Sequence, residues 1–518
     1  MAYTFDVRFV LISGGIAVCL TAVSGAGVIT FTDATNAAFA PPPILAGADV
    51  TLGDIEGDGD LDIWLFNVGD IDDKMFRNDG SGVFEDITSI AGVGGTPGGG
   101  PEINGPLTDF DNDGLPDAYV ATALQSNAAW NLFYRNTDGL VFVEIGELVS
   151  VRNMVDATSV NWVDLNQDGF ADIYVGTVRR TSNHPFLYLN QAGVSFEDVW
   201  STSGLDFTGG AGKGTNLWFD WEDDGDLDLY IGAFFDFDPS NKRDRLYVND
   251  GSGQFSQAVS ALNASPVATV SVQLADFDLD GTLEILAIHE QVANAVWDDQ
   301  GDGTFENIAP ALNLDMPNPI VFGDPERKSS AVVGDFDNDM DPDVFVTWWD
   351  LTIGGEPRNQ LWLHEGGVYV ERGIEAGITE EINAWACAAG DLNGDGFLDI
   401  YVVNDNGFGT RDTLYLNDGN ANHWFEIDPI GTISNRDAIG LKVWLTAGGV
   451  TQVQELYSHS AHPTRLHFGL GPNTEVTDLT LRWPNGLVEQ YWNIPADQVF
   501  RPVEGQTLPQ AGAGVLLR

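Results

Sequence analysis

Residues 109–117 read DFDNDGLPD, with acidic side chains at positions one, three, five and nine and glycine at position six. The pattern occurs in seven copies along the chain, and successive copies start 55 to 59 residues apart. In order they are DIEGDGDLD (54–62), DFDNDGLPD (109–117), DLNQDGFAD (164–172), DWEDDGDLD (220–228), DFDLDGTLE (276–284), DFDNDMDPD (335–343) and DLNGDGFLD (391–399). A period of this length indicates that each copy marks one supersecondary unit of a repeat protein.

The spacing of the acids within each copy is that of a calcium-binding loop. Alternate oxygen side chains on a tight turn converge on one point, and glycine at position six gives the backbone the freedom that the turn requires. Ca²⁺ takes about six to eight oxygen ligands, so three turn side chains, a backbone carbonyl and a ninth-position acid nearly fill its shell, whereas Mg²⁺ fits less well. The sequence therefore predicts up to seven calcium sites. Their candidate ligands are Asp54, Glu56, Asp58, Asp62, Asp109, Asp111, Asp113, Asp117, Asp164, Asn166, Asp168, Asp172, Asp220, Glu222, Asp224, Asp228, Asp276, Asp278, Asp280, Glu284, Asp335, Asp337, Asp339, Asp343, Asp391, Asn393, Asp395 and Asp399.

Position twelve excludes the main competing calcium motif. An EF-hand needs glutamate there and helices on both sides. The residues at position twelve are all apolar: Leu65, Val120, Val175, Ile231, Ala287, Val346 and Val402. They lie in short runs such as LDIWLFNV and ADIYVGTV, which are typical of strands buried on both faces.

The strands around each loop predict a β-propeller. A second run such as FLYLNQ and, in most repeats, a third such as SFEDVW follow the buried strand, which gives four strands per unit when the strand entering the loop is counted. Four-stranded units at this period form propeller blades, so seven repeats predict seven blades. The last repeat lacks its outermost strand, and residues 29–35, ITFTDAT, resemble that strand in other repeats. We expect this segment to close the ring and leave no long unpaired edge.

The repeats resemble those of the FG-GAP, or VCBS, family, which also build the integrin alpha-chain propeller. The resemblance covers roughly residues 29–420 and implies Ca²⁺ in the loop between the first and second strands of each blade. Asn166 and Asn393 replace the third-position acid, which lowers the charge of their sites, and Met340 replaces the sixth-position glycine, so we expect a distorted loop there.

The rest of the chain resembles the ASPIC/UnbV domain that follows such propellers in the cartilage acidic protein 1 family and its bacterial relatives. The resemblance rests on SNRDAIGLKVWLTAGG from Ser434, RLHFGLG from Arg465 and LRWPNG from Leu481. Short alternating strands with Gly and Asn-Gly turns predict a small antiparallel β-sandwich. The expected fold class is all-β, a seven-bladed β-propeller (27–420) followed by a small antiparallel β-sandwich domain (421–505), with a signal peptide at 1–26 and a tail at 506–518.

Composition predicts a secreted, acidic protein. Arg8 precedes the apolar run FVLISGGIAVCLTAV and small residues follow it, which is typical of a secretory signal peptide, and no other segment could span a bilayer. Its removal would leave only Cys387, expected to be buried and inert, so calcium and not a disulfide is the expected staple. The net charge of −56 argues against nucleic acid as a partner. We expect a monomer that is extracellular, at the cell surface or, in a bacterium, periplasmic.

No catalytic motif stands out, and His459, His462 and His467 are interpreted as loop or surface histidines because no acid is evidently placed to complete a zinc site. Alternation of strands places Arg179, Arg180, Trp348 and Trp349 on loops opposite the calcium loops, where they are candidates for binding a glycan or a protein. Two functions remain open. One is a calcium-stabilised adhesion, matrix or glycan/protein interaction module, and the other is an extracellular lyase or hydrolase with a site in the propeller funnel.

Overall fold

A computed structural model gives the fold of the chain. It describes residues 8–12, 15–19, 29–40, 42, 47–67, 72–94, 102–122, 130–153, 155, 157–177, 185–205, 215–233, 244–258, 262, 267–316, 320–321, 324–325, 327–349, 358–379, 383–404, 411–506 and 516–517. Within these ranges the regular structure is almost entirely β-strand, as predicted for an all-β protein. Short helical turns occur at Thr35–Ala38, Thr88–Ala91, Trp200–Thr202 and Ala309–Leu312.

Seven antiparallel sheets follow one another along the chain, and we number them as blades 1 to 7. Blade 1 contains Gly47–Gly53, Asp62–Asn67, Lys74–Asn78 and Phe84–Asp86; blade 2 contains Glu102–Asn104, Leu107–Thr108, Asp117–Thr122, Leu132–Asn136 and Phe142–Glu144; blade 3 contains Ala157–Val163, Asp172–Thr177, Phe186–Asn190 and Phe196–Asp198; blade 4 contains Asn216–Phe219, Asp228–Ile231, Arg245–Asn249 and Phe255–Gln257. Blade 5 contains Thr269–Ala275, Glu284–His289, Ala295–Asp299 and Phe305–Asn307; blade 6 contains Arg327–Gly334, Asp343–Trp349, Gln360–Glu365 and Val368–Glu371; blade 7 contains Ala384–Gly390, Asp399–Asn404, Thr413–Asn417 and Phe31–Asp33.

The second strand of each blade is buried along its whole length, except at Trp349, because it is covered by a neighbouring blade on each face. The first strands of successive blades contact one another around the ring, and the first strand of blade 7 also contacts that of blade 1. The sheets therefore form a closed propeller with the first strands innermost.

The predicted closure by the N-terminal segment is confirmed. Phe31–Asp33 pairs antiparallel with Thr413–Asn417, with Phe31 opposite Asn417. The Phe31 side chain is buried, and the hydroxyls of Thr30 and Thr32 donate to the two oxygens of Asp418. The first described part of the propeller in the sequence thus completes the last blade.

Asparagines at the end of the third strands connect neighbouring blades. The side-chain amides of Asn78, Asn136, Asn190, Asn249 and Asn417 each donate, over 2.8 to 3.1 Å, to the backbone carbonyl of the second loop residue in the preceding blade. The bond from Asn78 to Leu392 joins blade 1 to blade 7. Because these amides are buried, each hydrogen bond also satisfies a polar group that would be costly to leave unpaired.

After blade 7 the chain forms two further sheets. One contains His423–Ile427, Leu466–Gly471 and Val499–Phe500, and the other contains Lys442–Ala447, Val450–Glu455, Glu475–Arg482, Val488–Pro495 and Leu516–Leu517. Apolar side chains of both sheets, among them Phe468 and Leu479, share one buried core, as in a small sandwich. The pairing is antiparallel except between His423–Ile427 and Val499–Phe500, which run parallel.

Two short hairpins lie outside these domains, at Arg8–Ile12 with Gly15–Cys19 and at Ile320–Val321 with Asp324–Pro325. The first covers part of the segment interpreted as a signal peptide. A search of the described residues for a helix that could traverse a bilayer finds none.

Candidate metal centres and the docked C-terminal domain

All seven acidic loops adopt the same hydrogen-bonded turn. In each, the first-position aspartate accepts the backbone N–H of position five on one oxygen and that of position six on the other. The residue at position six has a positive φ in every loop, which explains why six of the seven have glycine there.

The ninth-position acid links each loop to its own blade. The two oxygens of Asp62 accept N–H groups from Ile55 in the loop and from Asn78 on the third strand, at 2.9 and 2.8 Å. The same pair of bonds recurs at Asp117, Asp172, Asp228, Asp343 and Asp399. Because Asn78 also bonds the neighbouring blade, the loop acids and the contact between blades belong to one network.

Three of the loops bring candidate ligands into one cluster. Each of the following sets offers carboxylate oxygens that all lie within 4.8 Å of one another: Asp276, Asp278, Asp280 and Glu284 in blade 5; Asp109, Asp111 and Asp117 in blade 2; and Asp335, Asp337 and Asp339 in blade 6. Oxygen ligands at this separation suit a hard divalent cation such as Ca²⁺. In blades 3 and 7 the third-position amides of Asn166 and Asn393 instead donate to the fifth-position acid.

Burial raises the pKa of these carboxyl groups. It raises the pKa of Asp276 to about 6, that of Asp164 to about 7 and that of Asp228 to about 8, and neighbouring acids of the same loop add to the effect. The pKa of Asp399 also lies well above its usual range, mainly because it is buried. A bound divalent cation would favour the ionised form of each group, so metal binding and proton release are coupled at these loops.

Met340 does not distort its loop, contrary to the expectation from sequence. Its backbone N–H donates to Asp335 over 2.8 Å, as the glycine at this position does elsewhere, and its φ is 87°. The strain of a left-handed methionine is offset by its side chain, which is buried in the core of the C-terminal sandwich, with Sδ 3.4 Å from the amide nitrogen of Asn473.

The sandwich docks on the face of the propeller that carries the acidic loops. Arg482 donates to Asp220, the first acid of the blade 4 loop, and lies 3.0 Å from Asp223, which also pairs with Lys442 at 2.8 Å. Arg465, paired with Glu426, donates to the Gly59 carbonyl over 3.1 Å. Two further points of contact involve the loops of blades 2 and 6. Asp437 accepts the N–H of Asp109, and Gly471 donates to the carbonyl of Asn338.

An arginine of the propeller itself also contacts the acidic loop of blade 2. Arg135, on the third strand of blade 2, lies 2.6 Å from Asp111 and 3.1 Å from Asp113, the third- and fifth-position acids. Arg135 and Arg482 therefore offset part of the loop charge before any metal binds.

Residues 457–463 of the sandwich, which we call the plug loop, enter the central channel of the propeller. The loop contacts the innermost strands of five blades through Ser460 with Asp49 and Asn104, Ser458 with Asn161 and Trp162, His462 with Gln273, and Ala461 with Ala389. The distances range from 2.8 to 3.1 Å. The plug loop thus occupies the channel at the end nearest the acidic loops.

The interpretation of His459 and His462 as surface histidines is wrong. Both are in the plug loop, and burial lowers the pKa of His459 to about 4 and that of His462 to about 3, so both are neutral near pH 7. The Nε2 atom of His467 lies 3.1 Å from the Gly396 carbonyl in the blade 7 loop. Sequence could not place these residues because their neighbours come from another domain.

Four residues were predicted to bind a ligand on the face opposite the acidic loops, and the structure places them differently. Arg179 and Arg180 lie outside the described residues. Trp348 is a strand residue that is 2 % exposed, and the Lys328 amine lies 5.6 Å from its ring centre, so its ring does not form part of a surface. Trp349 is half-buried and stacks on Trp385, with ring centres 4.9 Å apart. Cys387 is buried as predicted, and burial raises its pKa to about 12.

Comparison with known families confirms both resemblances. The FG-GAP-like repeat family matches residues 109–175, 220–287 and 276–346, and the ASPIC and UnbV family matches residues 431–508. The chain therefore carries FG-GAP-like repeats and an ASPIC and UnbV domain.

The chain is also related to cartilage acidic protein 1. It is 23 % identical to the Xenopus tropicalis protein over 481 residues, which cover 85 % of this chain and 70 % of that protein. It is 22 % identical to the Homo sapiens protein over 424 residues, covering 75 % of this chain and 60 % of that protein. Among solved structures, the crystal structure of BBS1N in complex with ARL6DN is similar at a TM-score of 0.44 and 13 % identity, over 74 % of this chain and 96 % of that chain.

Proposed function

We propose that this chain is an exported, calcium-stabilised interaction module that binds an extracellular glycan or protein in adhesion or in a matrix. The observation that carries the proposal is the repeated loop, in which a buried first-position carboxylate is held by two amides and faces further acids of the same turn. Extracellular calcium is abundant enough to fill sites of modest affinity. The chain thus extends from a signal peptide (1–26) through the propeller (27–420) to the sandwich (421–505), with Ca²⁺ bound at up to seven loops.

The sandwich supports a role for calcium in holding the two domains together. It contacts the loops of blades 1, 2, 4, 6 and 7, so a cation that orders these loops also orders the surface on which the sandwich docks. The name of the related proteins, cartilage acidic protein 1, supports an extracellular location. The net charge of −56 keeps such a protein soluble and away from nucleic acid.

The central channel of the propeller, which we call the axial funnel, is lined by residues that favour a binding function over a catalytic one. Among the described residues that line it, only Asp49 and His459 are titratable. Asp49 accepts hydrogen bonds from Val50, Asn104 and Ser460, and His459 accepts one from Ala461. A general acid or base needs a free position towards a substrate, which these contacts restrict.

The proposal is tested by binding the purified full-length chain to arrays of immobilised oligosaccharides and extracellular matrix proteins. One array is developed in millimolar Ca²⁺ and a second in EDTA. We expect retention on a small set of spots in Ca²⁺ and a loss of at least tenfold in EDTA. Retention that is equal in both buffers, or on no spot in either, contradicts the proposed function.

A further inference from the structure

The innermost strands of five blades carry the same irregularity where they line the axis. In each of these strands one residue has no partner on the second strand, so the pairing register shifts by one residue there. The unpaired residues are Ala48, Thr158, Val270, Ser329 and Trp385. A β-bulge re-aims side chains, and in a propeller it brings consecutive residues to the channel wall. Pairs such as Thr158 with Ser159 and Ser329 with Ser330 both line the funnel as a result.

The funnel lies towards the face opposite the acidic loops and, between its described lining residues, has a volume of about 260 Å³. This volume is close to the lower end of the range of about 300 to 1,000 Å³ for small-ligand sites. The plug loop supplies the floor through His459 and Ser460, which makes the channel a blind pocket. The innermost strands of all seven blades contribute to the wall, so the pocket is held by the most rigid part of the fold.

The wall is rich in neutral hydrogen-bonding groups. Hydroxyls come from Ser159, Thr215, Thr269, Ser271 and Ser330, and amides come from Asn104, Asn161 and Asn216. Within the described residues, Oδ1 of Asn161, Oδ1 of Asn216 and Oγ1 of Thr158 accept no hydrogen bond, although both asparagines are more than nine-tenths buried. Buried acceptors of this kind are costly unless a ligand or water donates to them.

An aromatic platform stands at one side of the same pocket. Trp385 lines the funnel and is 37 % exposed, while its ring is supported by Trp349 at 4.9 Å between centres. The guanidinium carbon of Arg327 lies 5.6 Å from the centre of the Trp349 ring, and Nη1 of Arg327 lies 3.0 Å from the Glu290 carboxylate. These contacts restrict the orientation of the Trp349 ring. A flat, pre-oriented indole can bind the C–H face of a ligand whose edges carry hydroxyl groups.

We infer that the axial funnel is a carbohydrate-binding site, with Trp385 stacking on a sugar ring and the Ser, Thr and Asn side chains of the inner strands bonding its hydroxyls. A wall with many hydroxyls and amides and, among the described residues, the single carboxylate of Asp49 suits an uncharged, polyhydroxylated ligand better than an anion. The inference rests on the proposed function and names the glycan as its ligand and the funnel as its location.

The experiment uses the full-length protein in Ca²⁺ and begins with the oligosaccharide array. Affinities are then measured by calorimetry with the methyl glycosides of glucose, galactose, mannose, fucose and N-acetylglucosamine, with glycerol as the negative probe. Trp385→Ala is expected to lower the affinity for the bound sugar at least tenfold, and Trp385→Phe to retain most of it. Thr215→Val, which replaces one hydroxyl with a methyl group of similar size, is expected to lower it about threefold to tenfold, as expected for loss of one hydrogen bond.

Trp130→Ala is the matched control. Trp130 is 36 % exposed and has Arg152 5.6 Å from its ring centre, yet it does not line the funnel. Its replacement should change the affinity less than twofold. Should Trp385→Ala unfold the protein, the Phe and Val variants decide the question. The inference is overturned if no sugar binds, or if Trp385→Ala or Thr215→Val binds like the wild type. Calcium-dependent binding to proteins alone would overturn the funnel site and leave the proposed function standing.

Discussion

Arg482 of the sandwich donates a hydrogen bond to Asp220, the first acid of the blade 4 loop. The guanidinium therefore lies against a carboxylate that is also a candidate calcium ligand, and it holds the sandwich on the propeller at the same time. Burial raises the pKa of Asp220, and Arg482 and Lys442 act against that effect. A metal ion bound at this loop would therefore compete with a protein cation for the same carboxylate.

We expect Arg482→Gln to strengthen cation binding at the blade 4 loop several-fold, because removing a positive charge beside Asp220 removes its repulsion of the metal. Trp221, the next residue, lets this loop be followed by sensitised terbium luminescence, and Trp221→Phe identifies that part of the signal. Arg152→Gln is the control, since Arg152 pairs with Glu144 and Glu147 outside the loops. Unchanged terbium affinity in Arg482→Gln would show that the arginine does not compete.

Met340→Gly tests which force dominates at the blade 6 loop. The change relieves a left-handed backbone strain of about 1 to 3 kcal/mol, but removal of a buried methionine side chain costs about 2 to 5 kcal/mol. We therefore expect net destabilisation of about 1 to 2 kcal/mol, measured by denaturant unfolding in Ca²⁺. Met340→Leu, which keeps most of the buried volume, should lose less. A more stable Met340→Gly protein would mean that backbone strain outweighs the core contact.

Deletion of residues 27–36 should expose the third strand of blade 7 and break the ring. An unpaired strand edge promotes aggregation, and loss of Phe31 alone removes a buried aromatic side chain worth about 3 to 5 kcal/mol. Size-exclusion chromatography and thermal unfolding provide the measurement, with Phe31→Ala as the milder variant. A monomer with the wild-type melting temperature would refute closure by the N-terminal strand.

Stability of the calcium-free protein should fall as pH rises. The pKa values of Asp276, Asp164 and Asp228 are raised to about 6, 7 and 8 in the folded state, against about 4 in the unfolded chain. The folded state thus binds more protons over this window, and stability decreases from about pH 4 to pH 8. Denaturant unfolding in EDTA at several pH values measures this slope. In Ca²⁺ the decrease of stability with pH should become smaller or reverse. A stability in EDTA that does not change with pH would contradict the prediction.

Local patterns in the sequence predicted the local structure well. The alternation of acids and the sixth-position glycine predicted the turn, and residues 29–35 predicted the closing strand, because both depend on neighbours in sequence or on a repeat. Asparagine recurs at the end of the third strand in five repeats, and this signal could have revealed the bonds between blades.

Contacts between domains could not be predicted in the same way. Met340 was expected to distort its loop because the side-chain contacts that offset its backbone strain lie in the sandwich. His459 was expected at the surface because the propeller residues that bury it are distant in sequence. Trp348 was expected on a loop, but it occupies the position at which the second strand ends in other blades, as at Asn67 and Asn404, and Lys328 lies beside its ring.

The most direct test of the account is differential scanning calorimetry of the full-length protein in EDTA, in millimolar Mg²⁺ and in millimolar Ca²⁺. Binding to the folded state alone stabilises it by about 2.7 kcal/mol per site at a hundredfold excess of ligand over its dissociation constant. We predict the lowest unfolding temperature in EDTA, a small increase in Mg²⁺ and a large increase in Ca²⁺. The same unfolding temperature in EDTA and in Ca²⁺ would contradict the assignment of the seven loops as calcium sites.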